Sequence, residues 1–149
     1  VISLLPRPTG RNWSTVSFAS TLYLFPILDL LLAEIPSCWQ DELRLGLQEA
    51  LVNAAKHGNN LDPNKKVLVH FSIVADQYWW VISDQGAGFT PPKACKSDPS
   101  DQLPEQEGEC GRGLYILHRI FDQVHWNQKG TELRLCKQVK SSPKVPLLH

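Results

Sequence analysis

Apolar residues recur at three- and four-residue intervals between Trp39 and His57, at Leu43, Leu47, Ala50, Leu51 and Ala54. This is the period of a helix with one buried face, and Gly58-Asn59-Asn60 supplies a cluster able to cap its C-terminus. Upstream, Trp13 to Ala19 reads as a strand. Ser20 or Thr21 is placed to cap a helix that runs past Pro26 to about Ile35, where Pro36 stops it, and Ser37 is placed to cap the long helix. Downstream the period changes to two: Lys66–Ala75 and Tyr78–Ser83 alternate and are rich in β-branched and aromatic residues, with Asp76-Gln77 between them, which predicts a hairpin. A further helix is expected over Leu114–Val124, followed by a second hairpin of His125–Gln128 and Thr131–Lys137 turned at Lys129-Gly130.

What lies outside these periods is equally informative. Residues 1–12 carry two prolines, a glycine and arginines without apolar periodicity and read as a lead-in; residues 139–149 read as a mobile tail. The 149-residue chain therefore holds one domain, residues 13–138. Between Gly86 and Gly111 stand four prolines, two further glycines and many charges, with little that could be buried, a long loop of the kind that usually has a function, here as a lid, or is disordered. Gly108 supplies it with a further hinge.

Composition narrows the function classes. Lysine plus arginine and aspartate plus glutamate are 15 each, so no general attraction to nucleic acid or acidic membranes is expected. The apolar stretch from Leu22 to Ile35 is too short and too charged to span a bilayer, and neither a membrane segment nor a signal peptide is read. Cys38, Cys95, Cys110 and Cys136 are scattered without a CxxC pair, which fits a reduced, cytoplasmic setting better than a zinc site or disulfide scaffold. His57, His70, His118 and His125 lack metal-ligand spacing, and the tryptophans read as core packing ahead of a partner surface.

Three separated boxes carry candidate chemistry. Glu49 and Asn53 are four residues apart, hence one turn apart on one helical face, and Lys56 and His57 extend that face. An asparagine carbonyl is a neutral oxygen ligand suited to Mg²⁺ that brings phosphates with it; Lys56 offers an ammonium to those phosphates, and Glu49 can accept a proton from an attacking hydroxyl. The second box is Asp84-Gln85-Gly86-Ala87-Gly88-Phe89: a carboxylate at a strand end that can accept from an exocyclic amine, then glycines that let a flat base approach the backbone. The third, Gly111-Arg112-Gly113-Leu114, opens a helix whose first N–H groups form an anion site, with Arg112 beside it. Taken singly, the first box is also what a solvated helix face looks like and the second what a tight turn looks like. No P-loop, Rossmann fingerprint or eukaryotic protein-kinase motif set is present.

Together, EALVNAAKHGN, SDQGAGF, GRGLYIL and KGTELRL resemble the N box, the two glycine boxes and the terminal Gly-Thr strand of the GHKL ATPase superfamily, over roughly Trp13 to Lys137. The GRGL form and compact size are most similar to bacterial anti-sigma factor serine/threonine kinases. The resemblance implies a two-layer α/β sandwich, a mixed sheet with helices on one face and a lid loop, binding ATP or ADP with Mg²⁺. It implies Glu49 as catalytic base, Asn53 as the Mg²⁺ ligand and Asp84 as the adenine contact. Gly86, Gly88 and Phe89 would shape the base pocket, Gly111, Arg112, Gly113 and Leu114 the phosphate turn, and Thr131 would back the adenine. Implied partners are a STAS-type anti-sigma antagonist and a sigma factor, with a homodimer by analogy alone. Two other functions fit the same boxes: a nucleotide-gated binding protein without turnover, and a histidine-kinase-like catalytic module standing alone. Cys110 stands where a small hydroxyl residue is common in the family, which puts nucleotide binding ahead of transfer.

Overall fold

The computed structural model describes residues 12–74, 76–88 and 112–139. Five strands and three helices follow one another as β1 (Ser14–Ala19), α1 (Phe25–Leu31), α2 (Ser37–Val52), β2 (Lys66–Val74), β3 (Gln77–Ser83), α3 (Arg112–Ile120), β4 (Gln123–Trp126) and β5 (Glu132–Gln138). The strands form one sheet in the order β1-β2-β3-β5-β4. The β-branched and aromatic residues of β2 and β3 pair in register, for example Phe71 with Trp80 and Val69 with Ile82.

The alternation dictates where the helices sit. Val67, Val69, Tyr78, Trp80, Ile82, Leu133 and Leu135 share one core with Leu28 and Leu31 of α1, Leu43, Leu47 and Leu51 of α2, and Leu114, Leu117 and Ile120 of α3. Period-two residues of the sheet thus meet period-3.6 residues of the helices on a single face. Trp80 is fully buried and meets Tyr78 and Phe121 edge-on at 6.3 and 5.8 Å. Trp39 and Trp79 are also buried, in keeping with a packing role.

This is the expected two-layer α/β sandwich, with one exception: all four strand pairings are antiparallel, so among the described residues the sheet is not mixed. β3 and β4 do run the same way on either side of the crossover through α3, but β5 returns between them and hides that parallel relation.

Several element boundaries also differ from expectation, among them α1, which ends at Leu31 and not near Ile35, and β4, which lies at Gln123–Trp126 and not His125–Gln128; three others have a visible cause. The first helix starts at Phe25, not after Ser20 or Thr21, because those hydroxyls are engaged elsewhere. Ser20 Oγ donates to the Lys65 carbonyl (2.8 Å), Thr21 Oγ1 accepts from the Tyr23 N–H (3.0 Å), and Pro26 in the first turn sets the start. Pro36, not Ser37, occupies the cap position of α2, its carbonyl accepting the Trp39 N–H at 3.0 Å. The third helix stops at Ile120 instead of Val124 because Asp122 is drawn into the sheet: its N–H donates to the Cys136 carbonyl (2.8 Å) and its Oδ2 accepts the Gln138 N–H (2.6 Å).

Candidate functional site

Glu49 stands in the last turn of α2, and Asn53 is the first residue beyond it; both are half-buried. From Asn53 to Gly58 the helix continues as a wider π-helical turn, in which the Asn59 N–H reaches back five residues to the Ala54 carbonyl at 2.9 Å. Such turns inside α-helices mark places where the regular ladder has been sacrificed to a local demand. The demand here is docking: a methyl group on Gly58 would collide with the Asp84 carboxylate, and one on Gly86 would collide with the Gly58 carbonyl. The end of the helix and the acidic glycine turn are in backbone contact, which only glycine at these two positions permits. Lys56 and His57, expected to share the face of Glu49 and Asn53, are exposed on the widened turn. The chain then leaves through Asn60 and Leu61, with φ of 54° and 56°, so the left-handed residues follow Gly58-Asn59 instead of including the glycine.

Asn59 fastens this junction and was not among the residues the sequence singled out. Fully buried, it donates through Nδ2 to Ser20 Oγ (2.9 Å) and the Lys66 carbonyl (3.0 Å), and it accepts the Gln85 N–H at 2.8 Å. It ties β1, β2 and the glycine turn to the helix end. Its only signal in the sequence is an asparagine just after Gly58, which reads as a cap.

Asp84 extends β3, its N–H donating to the Thr131 carbonyl (2.9 Å) and its Oδ1 accepting the Gly86 N–H (2.9 Å). Burial pushes its carboxyl above the ordinary carboxylate range, opposed in part by the Gly86 bond and by Lys65. Gly88, at φ 89°, is packed so closely on the Lys129 carbonyl that a side chain there is excluded. The second glycine turn is thereby seated on the β4–β5 hairpin. Ser83, Asp84, Asn127, Thr131 and Glu132 line a cavity of about 170 Å³ at this end of the sheet, roomy enough for more than a single water.

On the other side of the site, a methyl group on Gly113 would lie 2.8 Å from Glu49 Oε1. The carboxylate thus rests over the first residues of α3, with no hydrogen-bond or ion-pair partner among the described residues. Arg112 is exposed, and Leu114 is buried in the core, where it anchors the start of α3. Four distant stretches of chain are thus brought together in two contacts: the helix end at Gly58 with Asp84, Gly86, Gly88 and Thr131, and Glu49 with Gly113, Asn53 lying between the two along the helix. Phe89, Gly111 and the lid between them, including Cys110, lie outside the described residues.

The fold and the gathered boxes define the class: a two-layer α/β sandwich of the GHKL type. The chain belongs to the histidine kinase-like ATPase domain family, whose model matches residues 31–137. Among curated proteins it is similar to the serine-protein kinase RsbW of Bacillus licheniformis, 30% identical over 89 residues that cover 57% of this chain and 55% of that protein. RsbW of Bacillus subtilis (strain 168) is 26% identical over 102 residues, 65% of this chain and 63% of that one. The anti-sigma F factor of Oceanobacillus iheyensis is 27% identical over 107 residues, 70% and 73% of the two chains. The chain spans little more than half the length of the first of these relatives. Among the described residues no helix is long and apolar enough to cross a membrane.

Proposed function

We propose that this chain binds ATP with Mg²⁺ and transfers the γ-phosphoryl group to a serine or threonine of a partner protein, as an anti-sigma-type regulatory kinase. The observation that carries the reading is the juxtaposition of a half-buried Glu49, without a partner among the described residues, with Gly113 at the start of α3. A carboxylate beside a helix N-terminus is electrostatically favourable in itself, and the absence of a side-chain partner for it among the described residues leaves it available for chemistry. There it can take the proton of an incoming hydroxyl while the helix N–H groups and Arg112 receive phosphate oxygens. The names of the relatives support the same class of activity.

The residues fit the ligands they are assigned. Gly58, Gly86 and Gly88 let the helix end, the acidic turn and the β4–β5 hairpin close on one another around Asp84, which lines the cavity at the sheet end and is an acceptor for an exocyclic amine. Asn53 supplies one neutral oxygen, the donor expected of a site where Mg²⁺ keeps waters and draws the rest of its ligands from phosphates. When bound, Mg²⁺ neutralises charge building on the transferred group. Lys56 and His57, exposed beside Asn53, are free to lean toward phosphates. Phe89 and Gly111 complete the base pocket and phosphate turn in this reading. The implied partners are a STAS-type antagonist carrying the phosphoacceptor and a sigma factor, in a cytoplasmic setting, with the chain as a homodimer.

The test is label transfer from γ-phosphate-labelled ATP with Mg²⁺ into a lysate of the source cells, comparing the unmodified chain with Glu49→Ala and Asn53→Ala. A small protein labelled at an acid-stable serine or threonine by the unmodified chain alone is the expected result. An acid-labile product would instead identify a histidine-kinase-like module. Absence of label alongside ATP binding that Asn53→Ala weakens would make this a nucleotide-gated binder.

A further inference from the structure

Asn127 sits at the turn between β4 and β5, 1% exposed, and its side chain is almost completely committed. Its Oδ1 accepts the N–H groups of Thr131 (2.9 Å) and Glu132 (3.2 Å). Two backbone donors converging on one atom decide which end of the amide is the oxygen. The other end, 3.2 Å from Thr131 Oγ1, is therefore the NH₂ group and donates to the hydroxyl. A hydroxyl that accepts from a fixed donor must send its single proton elsewhere. Thr131 and Asn127 both line the 170 Å³ cavity that Asp84 also faces, and the other carboxylate there, Glu132, is already engaged by Arg134 Nε at 3.2 Å.

We infer that Asn127 is a positioning residue that holds the Thr131 hydroxyl as a hydrogen-bond donor toward this cavity, beside the acceptor Asp84. The pocket then presents acceptor and donor side by side. That pattern suits a base edge carrying an amine next to a ring nitrogen with a lone pair, as the 6-amino group and N1 of adenine do. The inference rests on the ATP-site reading above and adds to it the residue that sets the polarity of one contact. The alternative is that Asn127 merely closes the hairpin, a common duty of asparagine in turns.

Asn127→Asp separates the two. The variant keeps an oxygen for both turn N–H groups and nearly the same shape, but it replaces the NH₂ donor by an acceptor to which Thr131 must now donate, withdrawing that proton from the cavity. Binding of ATP and of 1-deaza-ATP, in which CH replaces the ring nitrogen, is measured by titration calorimetry with Mg²⁺. The unmodified chain should bind the deaza analogue roughly tenfold more weakly, the worth of one hydrogen bond. Asn127→Asp should bind ATP roughly tenfold more weakly and no longer distinguish the two nucleotides. In a Thr131→Val background, adding Asn127→Asp should cost no further affinity. Should the aspartate variant fail to fold, Asn127→Ser, which keeps a turn acceptor but lacks the amide donor, carries the same prediction. Discrimination retained in the Asn127 variants, or an Asn127 effect that persists with Thr131→Val, overturns the inference. ATP binding by the unmodified chain without discrimination overturns the inference alone; no ATP binding at all removes the ATP-site reading with it.

Discussion

Glu42 and Glu49 lie two turns apart on the same helix, α2, and differ in nearly everything that matters chemically. Glu42 is 2% exposed and accepts from Lys137 Nζ at 3.3 Å; that ammonium also donates to the Ile120 carbonyl at 2.9 Å and lies 4.8 Å from the Trp39 ring centroid. Glu49 is half-buried, faces a glycine, and has no ionic or hydrogen-bonded partner among the described residues. A charge taken out of water is tolerated only when paired and hydrogen-bonded. Glu42 satisfies that condition and is thereby spent, holding α2, α3 and β5 together at the end of the sheet away from the glycine turns. Glu49, left partly in solvent, is committed to no side chain among the described residues. The role of a carboxylate on this helix follows from what stands opposite it.

The largest effect expected from this contrast is on transfer. Glu49→Gln should lower the phosphoryl-transfer rate by at least about a hundredfold while ATP affinity and melting temperature stay close to those of the unmodified chain, as read by single-turnover labelling, calorimetry and thermal melts. Glu42→Gln should do the reverse, lowering the melting point with transfer per folded molecule preserved; if it abolished transfer in folded protein, the division of labour would be wrong.

Next in size is the structural pair. Lys137→Ala leaves Glu42 buried without its cation and should cost about 3–5 kcal/mol in denaturant unfolding. Replacing both partners, Glu42→Leu with Lys137→Met, should recover most of the loss, because an apolar pair of similar volume carries no desolvation penalty. A smaller effect is expected for Gly113→Ala, which sets a methyl group 2.8 Å from Glu49 Oε1 and must displace the carboxylate. Turnover should fall by roughly ten- to a hundredfold, as misplacement of a reacting group by an ångström does, with nucleotide affinity much less affected.

The smallest and most diagnostic effect concerns pH. Burial raises the Asp84 carboxyl above its unfolded value, so the folded state holds this proton more tightly than the unfolded one. Stability contributed by that proton is complete below the ordinary carboxylate range and is lost as pH rises through the raised value. Asp84→Asn should remove this slope and melt slightly higher at neutral pH without ligand. Nucleotide binding should show the opposite dependence, weakening as pH falls and Asp84 loses its charge, and Asp84→Asn should bind ATP poorly at every pH. Melting curves and titrations from about pH 3 to about pH 8, which start below the ordinary carboxylate range and run well above it, read both.

Much of this arrangement is legible in the chain. The periodicity of Leu43, Leu47, Ala50 and Leu51, the alternation in β2 and β3 and the turn at Lys129-Gly130 located the elements, since each is a local preference acting over a few residues. The boxes pointed to Glu49, Asn53, Asp84, Gly86, Gly88, Gly113 and Thr131; the fold sets Glu49 against Gly113 and seats the Asp84 turn on Gly58 and the Thr131 hairpin. The π-helical turn at Asn53–Gly58 was not legible, because an α-helical register was equally available to those residues until Gly58 met Asp84. Asn59 and Asn127 looked like turn residues, and only their partners, Ser20 and Gln85 for the one and Thr131 for the other, show what their amides hold.

The sequence by itself determined the helical and extended segments, the residue types brought to each box and the family to which they belong. The tertiary structure decided which of two glutamates is spent on a cation 95 residues away, where the helix widens, and which groups the buried asparagines hold. The physical reason is that propensity and periodicity act between near neighbours, whereas burial, desolvation and hydrogen-bond polarity depend on groups that meet only once the sheet and helices have closed on one another.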